Sequence, residues 1–386
     1  MRIALTHPTY WPEVRRGSER VVHDLGVSLA SRGHDVTLLT SHRGRRSITV
    51  EDGVTVVRRR RPARPRAARR YEDLIESAPG LAWELHGDRF DVVHAFFPVD
   101  GWVASLMGRR RSFPPFVFSF HGIPTRQYLV SRRYRMQMLQ AAIGAAAVAS
   151  VLSDAAAEVF RRHLLRSPLV LPAGVTGERF AIGVDRAREP TLLCTASLRD
   201  PRKRGPLLLE AFASLRERLP SARLLLDKPR DPLTEGPAMP ALPPGAAWID
   251  LADDAALATA YASAWATVLP APAEAFGLVL VESLAAGTPV VAARSGAAPQ
   301  IVSSGEIGRL FDPDDAAALA GAMAGALGLA ESPGTRSACR ERAADYEWSA
   351  LVERYENAYR SAVEARAPES SRTSASSESA SVRRGR

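Results

Sequence analysis

The chain has 386 residues, of which 46% are hydrophobic and 24% charged. This is enough apolar material for two ordinary domains and too much for a disordered protein. Two cysteines cannot form a disulfide framework, and the apolar stretch at residues 1–5 is too short for a signal peptide. No window approaches the roughly 20 apolar residues that a membrane span needs. We therefore expect a cytoplasmic protein that is not integral to a membrane.

The charge is positive and unevenly distributed. The chain carries 51 basic and 42 acidic residues, and residues 40–140 hold 19 arginines against 9 acidic residues. Such a surface would attract anionic lipid, a phosphorylated acceptor or nucleic acid. A solvated arginine-rich surface explains the excess equally well, and we expect the run Arg58–Arg61 to be exposed rather than catalytic.

The first half of the chain alternates between short apolar runs and helical patterns. The first run, residues 3–5, predicts a buried strand, residues 8–17 hold prolines and a glycine and predict a loop, and residues 21–29 predict a helix. Further buried strands are predicted at residues 36–40, 92–94, 116–120 and 169–171. This alternation indicates an open, doubly wound α/β domain.

After a polar link at residues 180–190 the alternation begins again. Strands are predicted at residues 192–195, 224–226, 248–249, 266–269, 289–291 and 308–311. We expect an N-terminal domain at 1–185, a C-terminal domain at 186–346, a helix at 347–366 packing back toward the N-terminal domain, and a disordered tail at 367–386. Because parallel sheets bind ligands at their carboxyl ends, the cleft between two facing domains is the expected site.

One segment of the second domain favours anion binding. Residues 270–289 follow a predicted strand, pass through a proline-bearing loop, and begin a helix near Phe276 or Gly277. The free N–H groups and the dipole of such a helix end suit a diphosphate. Glu274 lies just before the helix and Glu282 about two turns into it. No group of residues has metal-ligand spacing, and we attribute the acidic run at 312–315 to helix capping by Asp314.

These residues carry a resemblance to a known family. Glu274, seven residues, Glu282 and the following Ala-Ala-Gly-Thr-Pro resemble the donor-site signature of the retaining glycosyltransferases of family 4, which have the two-domain GT-B fold. Segments along roughly residues 1–360 resemble the family in order and spacing, namely 8–19, 29–36, 91–94, 120–122 and 171–180. The resemblance implies an α/β GT-B architecture, with two doubly wound Rossmann-like domains facing a central cleft.

The resemblance also implies roles for individual residues. Glu274 would hold hydroxyls of the donor sugar, Glu282 would bind the nucleotide ribose, and His121 would lie at the reacting carbon. The remaining donor-binding residues would contact the sugar or the diphosphate; they are Gly17, Ser18, Arg199, Lys203, Phe276, Gly277 and Leu278. Arg199 and Lys203 would also be catalytic, because stabilising the charge on the leaving diphosphate is usually the largest catalytic effect.

The sequence departs from the family where the diphosphate is expected. The usual arginine position is Ser197; either Arg199 or Arg202 replaces its charge, or diphosphate binding is altered. Lys203 and Arg204 are both candidates for the family's lysine. The first loop has Gly17-Ser18 where the family has a double glycine.

The predicted reaction is retaining transfer of a sugar from a nucleotide-diphosphate sugar to an acceptor hydroxyl. The acceptor is a glycan, a lipid or a small molecule, and the basic domain favours a lipid-linked or anionic one with peripheral contact to the inner face of an anionic membrane. No cofactor, metal or nucleic-acid partner is expected. A hydrolase fits poorly, because eight helical residues would separate the two glutamates by about 12 Å, whereas retaining glycosidases need about 5 Å.

Two alternatives stay open at this stage. A sugar-nucleotide epimerase would act without an acceptor, and a phosphorylase of the same fold would require phosphate. A non-enzymatic polyanion-binding protein would use the arginines of the first half, although the chain has no recognisable nucleic-acid motif. The sequence leaves the donor base, the sugar and the acceptor undetermined.

Overall fold

A computed structural model describes residues 1–14, 16–86, 89–228, 241–251 and 253–366. The tail predicted to be disordered, 367–386, lies outside the described residues. Within them the chain forms two sheets, one of eight strands and one of six. We call β1–β8 with their helices the N-terminal lobe, and β9–β14 with theirs the C-terminal lobe. The prediction of two doubly wound domains facing a cleft is confirmed.

The N-terminal sheet has the strand order β3-β4-β2-β1-β5-β6-β7-β8. All neighbouring pairs are parallel except β3 with β4. The strands are β1 (Arg2–Thr6), β2 (Asp35–His42), β3 (Ser47–Glu51), β4 (Val54–Arg60), β5 (Val92–Ala95), β6 (Phe116–Phe120), β7 (Val148–Val151) and β8 (Leu169–Val170). The central strands are buried on both faces, which is why their sequences are almost continuously apolar.

Helices cover both faces of this sheet. They are α1 (Gly17–Ser31), α2 (Ala78–Glu84), α3 (Pro98–Met107), α4 (Arg126–Val130), α5 (Arg135–Ala145) and α6 (Asp154–Leu164). The strand order reverses at β1 and β5, so the loops that follow these two strands open a crevice at the carboxyl edge.

The C-terminal sheet is wholly parallel, with the order β11-β10-β9-β12-β13-β14. Its elements are β9 (Thr191–Cys194), α7 (Gly205–Arg218), β10 (Arg223–Asp227), β11 (Ala246–Ile249), α8 (Asp254–Ser263), β12 (Ala266–Leu269), α9 (Leu278–Ala285), β13 (Val290–Ala293), α10 (Ala298–Ile301), β14 (Gly308–Phe311), α11 (Ala316–Ala330) and α12 (Thr335–Ala344). This is the doubly wound order, and it reverses between β9 and β12. The loops after these two strands therefore face the ligand-binding crevice.

The last helix, α13 (Trp348–Arg366), follows the C-terminal lobe and packs on α1, β5, β6 and β7 of the N-terminal lobe. Its Tyr359 hydroxyl lies 2.8 Å from Nδ1 of the buried His94. Its Glu356 accepts hydrogen bonds from Arg32, at 2.7 Å and 3.0 Å. These bonds to Arg32, together with His34, lower the pKa of Glu356 to about 2. The helix thus connects the C-terminal lobe back to the N-terminal lobe.

The expectation that Arg58–Arg61 is exposed is wrong for three of the four residues. Arg58, Arg59 and Arg61 are buried, and only Arg60 is exposed. Their guanidinium groups donate to backbone carbonyls of the first loop and of β2, including the carbonyls of Pro8, Trp11 and Thr40. These arginines are buried because they satisfy loop carbonyls that would otherwise lack hydrogen bonds.

Candidate active site between the two lobes

A cleft of about 1870 Å³ separates the carboxyl edges of the two sheets. Ligand pockets usually measure about 300–1,000 Å³, so this cleft has room for two substrates. The N-terminal lobe contributes the loop that follows β1, the start of α1, and His121 at the end of β6. The C-terminal lobe contributes the loops that follow β9 and β12 and the start of α9.

The loop that carries Glu274 is held from behind by the loop that follows β13. The Glu274 carbonyl accepts a hydrogen bond from the Ala297 N–H at 3.0 Å. A Cβ on Gly296 would lie only 2.4 Å from the Glu274 carbonyl oxygen, so this close approach requires glycine. The residue before Glu274, Ala273, has a positive φ of 57°. The backbone of Glu274 is therefore fixed before any ligand binds.

Lys203 forms an ion pair with Glu274 across the mouth of the crevice. Both side chains are about one-fifth exposed and line the cleft. Arg204 turns away from it and pairs with Asp314. Of the two candidates for the family's lysine, Lys203 is therefore the one in the cleft.

The structure does not bring Arg199 into the cleft. Arg199 does not line the cavity, whereas Ser197 and Arg202 do, although the Arg202 side chain is 83% exposed. Asp200 holds the Arg202 guanidinium at 2.6 Å, and this bond raises the pKa of Arg202. The catalytic and donor-binding roles of Arg199 stay predictions, and Arg202 is the alternative guanidinium that lines the cleft together with Lys203 and Glu274.

The helix that was expected to begin near Phe276 or Gly277 begins at Leu278, and Gly277 occupies its N-cap. Gly277 has a φ of +92°, a conformation that favours glycine. No side chain caps this end, and Phe276, Gly277 and Leu278 all line the cleft. The uncapped N–H groups and the positive end of the helix dipole thus face the cavity.

Glu282 lies deeper in the cleft than Glu274, and its side chain is 5% exposed. Its Oε1 accepts a hydrogen bond from Arg20 Nη1 at 2.7 Å. Its Oε2 accepts one from the Tyr261 hydroxyl at 2.9 Å. Burial and the neighbouring Glu282 carboxylate raise the pKa of Tyr261 well above its ordinary value, so the phenol keeps its proton.

His121 lies in a hydrogen-bonded chain at the carboxyl edge of the N-terminal sheet. His7 Nδ1 lies 2.7 Å from the Thr9 carbonyl oxygen, and His7 Nε2 lies 2.9 Å from Ser18 Oγ. Ser18 Oγ lies 3.2 Å from His121 Nδ1. His121 Nε2 is buried, and it makes no hydrogen bond within the described part of the chain.

This chain fixes the proton positions. Burial lowers the pKa of His7 and lowers that of His121 to about 3, so both rings are neutral at pH 7. Only a protonated Nδ1 of His7 can donate to a carbonyl, so its Nε2 accepts from the Ser18 hydroxyl. Ser18 Oγ then accepts from His121 Nδ1–H. The result is a lone pair on the buried His121 Nε2 that has no partner within the described part of the chain.

Gly17 begins α1 and lines the cleft, as Ser18 does. A Cβ on Gly17 would meet no protein atom within 4 Å. The protein itself therefore does not require glycine here, and the close approach of a diphosphate stays a prediction.

Sequence reasoning missed three residues that shape the site, namely His7, Arg20 and Tyr261. Arg20 and Glu282 are 262 residues apart in the chain, so no local pattern connects them. His7 directly follows an apolar strand, as His121 does, and this shared position is the one local signal that pointed to it.

Neither a metal-binding group nor a membrane-spanning helix occurs among the residues that the structure describes. In the described ranges, no group of three or more His, Cys, Asp or Glu residues is placed to hold a metal ion. Asp315, and not Asp314, caps α11, because its side chain accepts from the Ala318 N–H at 2.9 Å while Asp314 has a positive φ. None of the helices described has the length and apolar character needed to cross a membrane.

Comparison with known proteins identifies the family. The model for Glycosyltransferase Family 4 matches residues 15–179, and the model for Glycosyl transferases group 1 matches residues 189–328. The chain belongs to glycosyltransferase family 4. Similar curated proteins include a phosphatidyl-myo-inositol mannosyltransferase of Mycolicibacterium smegmatis, 29% identical, with 91% of each chain covered. Another is D-inositol 3-phosphate glycosyltransferase 1 of Catenulispora acidiphila, 30% identical over 71% of this chain and 73% of the relative.

Solved structures support the fold of this family 4 glycosyltransferase. A sucrose-phosphate synthase from Thermosynechococcus elongatus matches with a TM-score of 0.74 at 22% identity, covering 94% of this chain and 99% of that one. The Anabaena protein Alr3699/HepE, solved with UDP-glucose, matches with a TM-score of 0.68 at 16% identity, covering 92% of this chain and 98% of that one. The GT-B architecture is therefore confirmed.

Proposed function

We propose that this glycosyltransferase moves a sugar, with retention at the anomeric carbon, from a nucleotide-diphosphate sugar to a hydroxyl of an inositol that carries a phosphate. One observation carries the donor half of the proposal. The Lys203–Glu274 pair lies beside the uncapped start of α9, in a cleft that His121 of the N-terminal lobe also lines.

Each group has a distinct part in the proposed reaction. The start of α9, Lys203 and Arg202 bind the diphosphate and stabilise its charge as it leaves. Glu274 and His121 Nε2 accept hydrogen bonds from hydroxyls of the donor sugar. The bond between the anomeric carbon and the phosphate oxygen breaks while the acceptor oxygen bonds to that carbon on the same face. The acceptor proton passes to the departing phosphate oxygen.

The acceptor half is supported by charge and by the names of the relatives. Exposed arginines line the N-terminal end of the cleft, among them Arg43, Arg60 and Arg69. Cations placed there favour a phosphorylated acceptor over a neutral one. Both relatives described above are named for inositol acceptors that carry a phosphate. Peripheral contact with an anionic membrane belongs to the version of this proposal in which the acceptor is a lipid.

The first experiment finds the donor. UDP, GDP and ADP are compared by thermal shift, because a ligand that binds only the folded state raises the melting temperature. The corresponding nucleotide sugars are then incubated with inositol 3-phosphate, with phosphatidylinositol vesicles, or with myo-inositol, and release of the nucleotide is measured. NMR of the product gives its anomeric configuration.

The expected result is transfer to a phosphorylated acceptor and little nucleotide release without one. The matched control is Glu274→Gln, which keeps the size of the side chain and removes its charge. Equal transfer to myo-inositol would refute the anionic acceptor. Interconversion of the nucleotide sugar without any acceptor would indicate an epimerase, and a strict need for phosphate would indicate a phosphorylase.

A further inference from the structure

The carboxylate of Glu282 depends on the opposite lobe for its counterion. Glu282 belongs to α9 of the C-terminal lobe, and Arg20 to α1 of the N-terminal lobe. The Glu282 side chain is 5% exposed and the Arg20 side chain 13% exposed, and Arg20 Nη1 lies 2.7 Å from Glu282 Oε1. A buried carboxylate is costly without a cation and hydrogen bonds to satisfy it. Arg20 therefore supplies a charge that Glu282 needs from across the cleft.

Arg20 orients this carboxylate without using all of its acceptor capacity. A carboxylate offers about four lone-pair directions. Arg20 takes one on Oε1, and Tyr261 takes one on Oε2. One direction therefore remains on each oxygen, which matches two neighbouring hydroxyls of a ribose. Both Glu282 and Arg20 line the cleft, so a nucleotide could reach the remaining directions.

Arg20 lies in a cluster of charged residues between the two lobes, which we call the seam and which also contains Asp24, Arg179 and Asp254. The Nη2 of Arg20 lies 3.9 Å from Asp254, at the start of α8. One helical turn further along α1, Asp24 binds Arg179 at 3.1 Å. Arg179 also approaches Asp254, at 4.0 Å, but it does not contact Glu282. Arg179 therefore shares the seam with Arg20 without sharing its contact with the carboxylate.

We infer that Arg20 is a positioning residue for the nucleotide ribose, which it acts on through Glu282. This inference rests on the proposed function and on the ribose-binding role that the family resemblance implies for Glu282. The nucleotide contacts the C-terminal lobe, whereas Arg20, which orients the Glu282 carboxylate, lies on the N-terminal lobe. Nucleotide affinity therefore depends on how the two lobes are docked, and separating them would weaken the ribose contact.

A thermodynamic cycle tests this inference by removing the Arg20 side chain, the ribose hydroxyls of the ligand, or both. Calorimetric affinities are measured for UDP, GDP and ADP, and for the 2′,3′-dideoxy analogue of each that binds. The variants are Arg20→Gln, Arg20→Lys and, as the matched control on the same seam, Arg179→Gln. Far-ultraviolet circular dichroism and melting temperatures check that each variant folds.

Arg20→Gln should weaken binding of the natural nucleotide by on the order of tenfold, as expected when one charged hydrogen bond is lost. It should leave the affinity for the dideoxy analogue within about twofold, because the ligand then lacks the hydroxyls that Glu282 binds. Arg20→Lys should recover part of the loss, and Arg179→Gln should cost little with either ligand. If Arg20→Gln does not fold, the same selective pattern is expected from Tyr261→Phe, which removes the other bond to Glu282.

Three results would overturn the inference. An equal loss for the natural and dideoxy nucleotides would mean that Arg20 binds the diphosphate directly. Tighter binding by Arg20→Gln would mean that Arg20 obstructs Glu282. An unchanged affinity would mean that the ion pair is only structural. Measurements on the wild-type protein test the ribose role of Glu282 separately. If the wild-type protein binds the natural nucleotide and its dideoxy analogue with equal affinity, or binds no nucleotide, Glu282 does not bind the ribose.

Discussion

The tautomer of His121 provides the most discriminating prediction about the candidate site, and Ser18→Ala is the change that tests it. Ser18 Oγ is the acceptor for His121 Nδ1–H at 3.2 Å, and it is held in turn by His7 at 2.9 Å. Removing the hydroxyl leaves a buried N–H without a partner, which costs about 1–3 kcal/mol. The ring can avoid this cost by moving its proton to Nε2, and it then loses the unpartnered lone pair on that nitrogen.

The expected consequence is a fall in kcat/KM of roughly 5- to 150-fold, which is the rate equivalent of that free energy. Ser18→Thr keeps an oxygen at the same position and should retain most of the activity. In protein with nitrogen-15-labelled histidine, NMR should show His121 protonated at Nδ1 before the change and a mixture of tautomers after it. Because burial lowers the pKa of His121 to about 3, its titration should not contribute to the pH profile between pH 5 and 8.

A double-mutant cycle checks that Ser18 acts through His121. In a His121→Phe background, Ser18→Ala should cost almost nothing, because the hydroxyl no longer has a ring to orient. A Ser18→Ala variant that retains full kcat/KM and an unchanged nitrogen-15 spectrum would refute the reasoning. An equal loss in both backgrounds would show that the serine acts on the substrate directly.

Three further changes test other parts of the structure. Glu274→Gln should lower turnover by roughly 10²- to 10³-fold with little change in melting temperature, because it removes a charge at the proposed reaction centre and nothing from a core; wild-type turnover would exclude Glu274 from catalysis. Arg202→Gln should raise KM for the donor and lower kcat, whereas the matched Arg199→Gln should change neither, and the reverse result would restore the role of Arg199. Burial lowers the pKa of His94 well below 6.5, so the unfolded chain binds a proton that the folded chain does not. The free energy of unfolding should therefore fall as pH drops below 6.5, by up to about 1.4 kcal/mol per pH unit for this histidine; denaturant titrations should show a shallower dependence in His94→Gln, and an identical dependence would contradict the assignment.

The sequence patterns predicted most of the fold, and they missed three strands, β3, β4 and β7, of which β4 and β7 have physical explanations. The predicted strands are short apolar runs and the structure contains all of them, but β8, which was predicted to be buried, has an exposed Leu169 and a half-buried Val170. The strand β7 (Val148–Val151) was missed because it continues an alanine-rich helix without a change in composition. The strand β4 (Val54–Arg60) was missed because it ends in arginines, which ordinarily indicate an exposed surface.

Arginines on β4 are buried for a reason that no local pattern contains. Arg58 donates two hydrogen bonds to the Trp11 carbonyl, at 3.1 Å and 3.0 Å, from 47 residues along the chain. Arg61 donates to the Pro8 carbonyl, 53 residues away. The first loop runs over these guanidinium groups, and it leads directly to Gly17 and Ser18. Part of the arginine excess in the first half therefore supports a loop of the cleft and is not free to attract a polyanion.

The same distinction applies to the candidate site. Glu274, Glu282, His121 and Lys203 follow motifs that lie within short segments, and the structure brings all four to the cleft. The partners that orient them come from distant segments, as Arg20 does for Glu282. Of the groups that hold these side chains, sequence reasoning named Ser18 and missed His7, Arg20 and Tyr261, because orientation depends on packing between segments that are distant in the chain.

The departure from the family pattern at Ser197 shows how structure can replace a motif. The expected arginine is absent there, yet a guanidinium still lines the cleft, supplied by Arg202 five residues later. Asp200 positions Arg202 in two ways. Its carboxylate caps the short helical turn at residues 201–203 by accepting a hydrogen bond from the Arg202 N–H, and it also binds the Arg202 guanidinium. One carboxylate thus fixes both the backbone and the charge of its neighbour. On this reasoning Asp200→Ala should reproduce the donor KM defect of Arg202→Gln, and combining the two changes should add little, because both remove the same positioned charge.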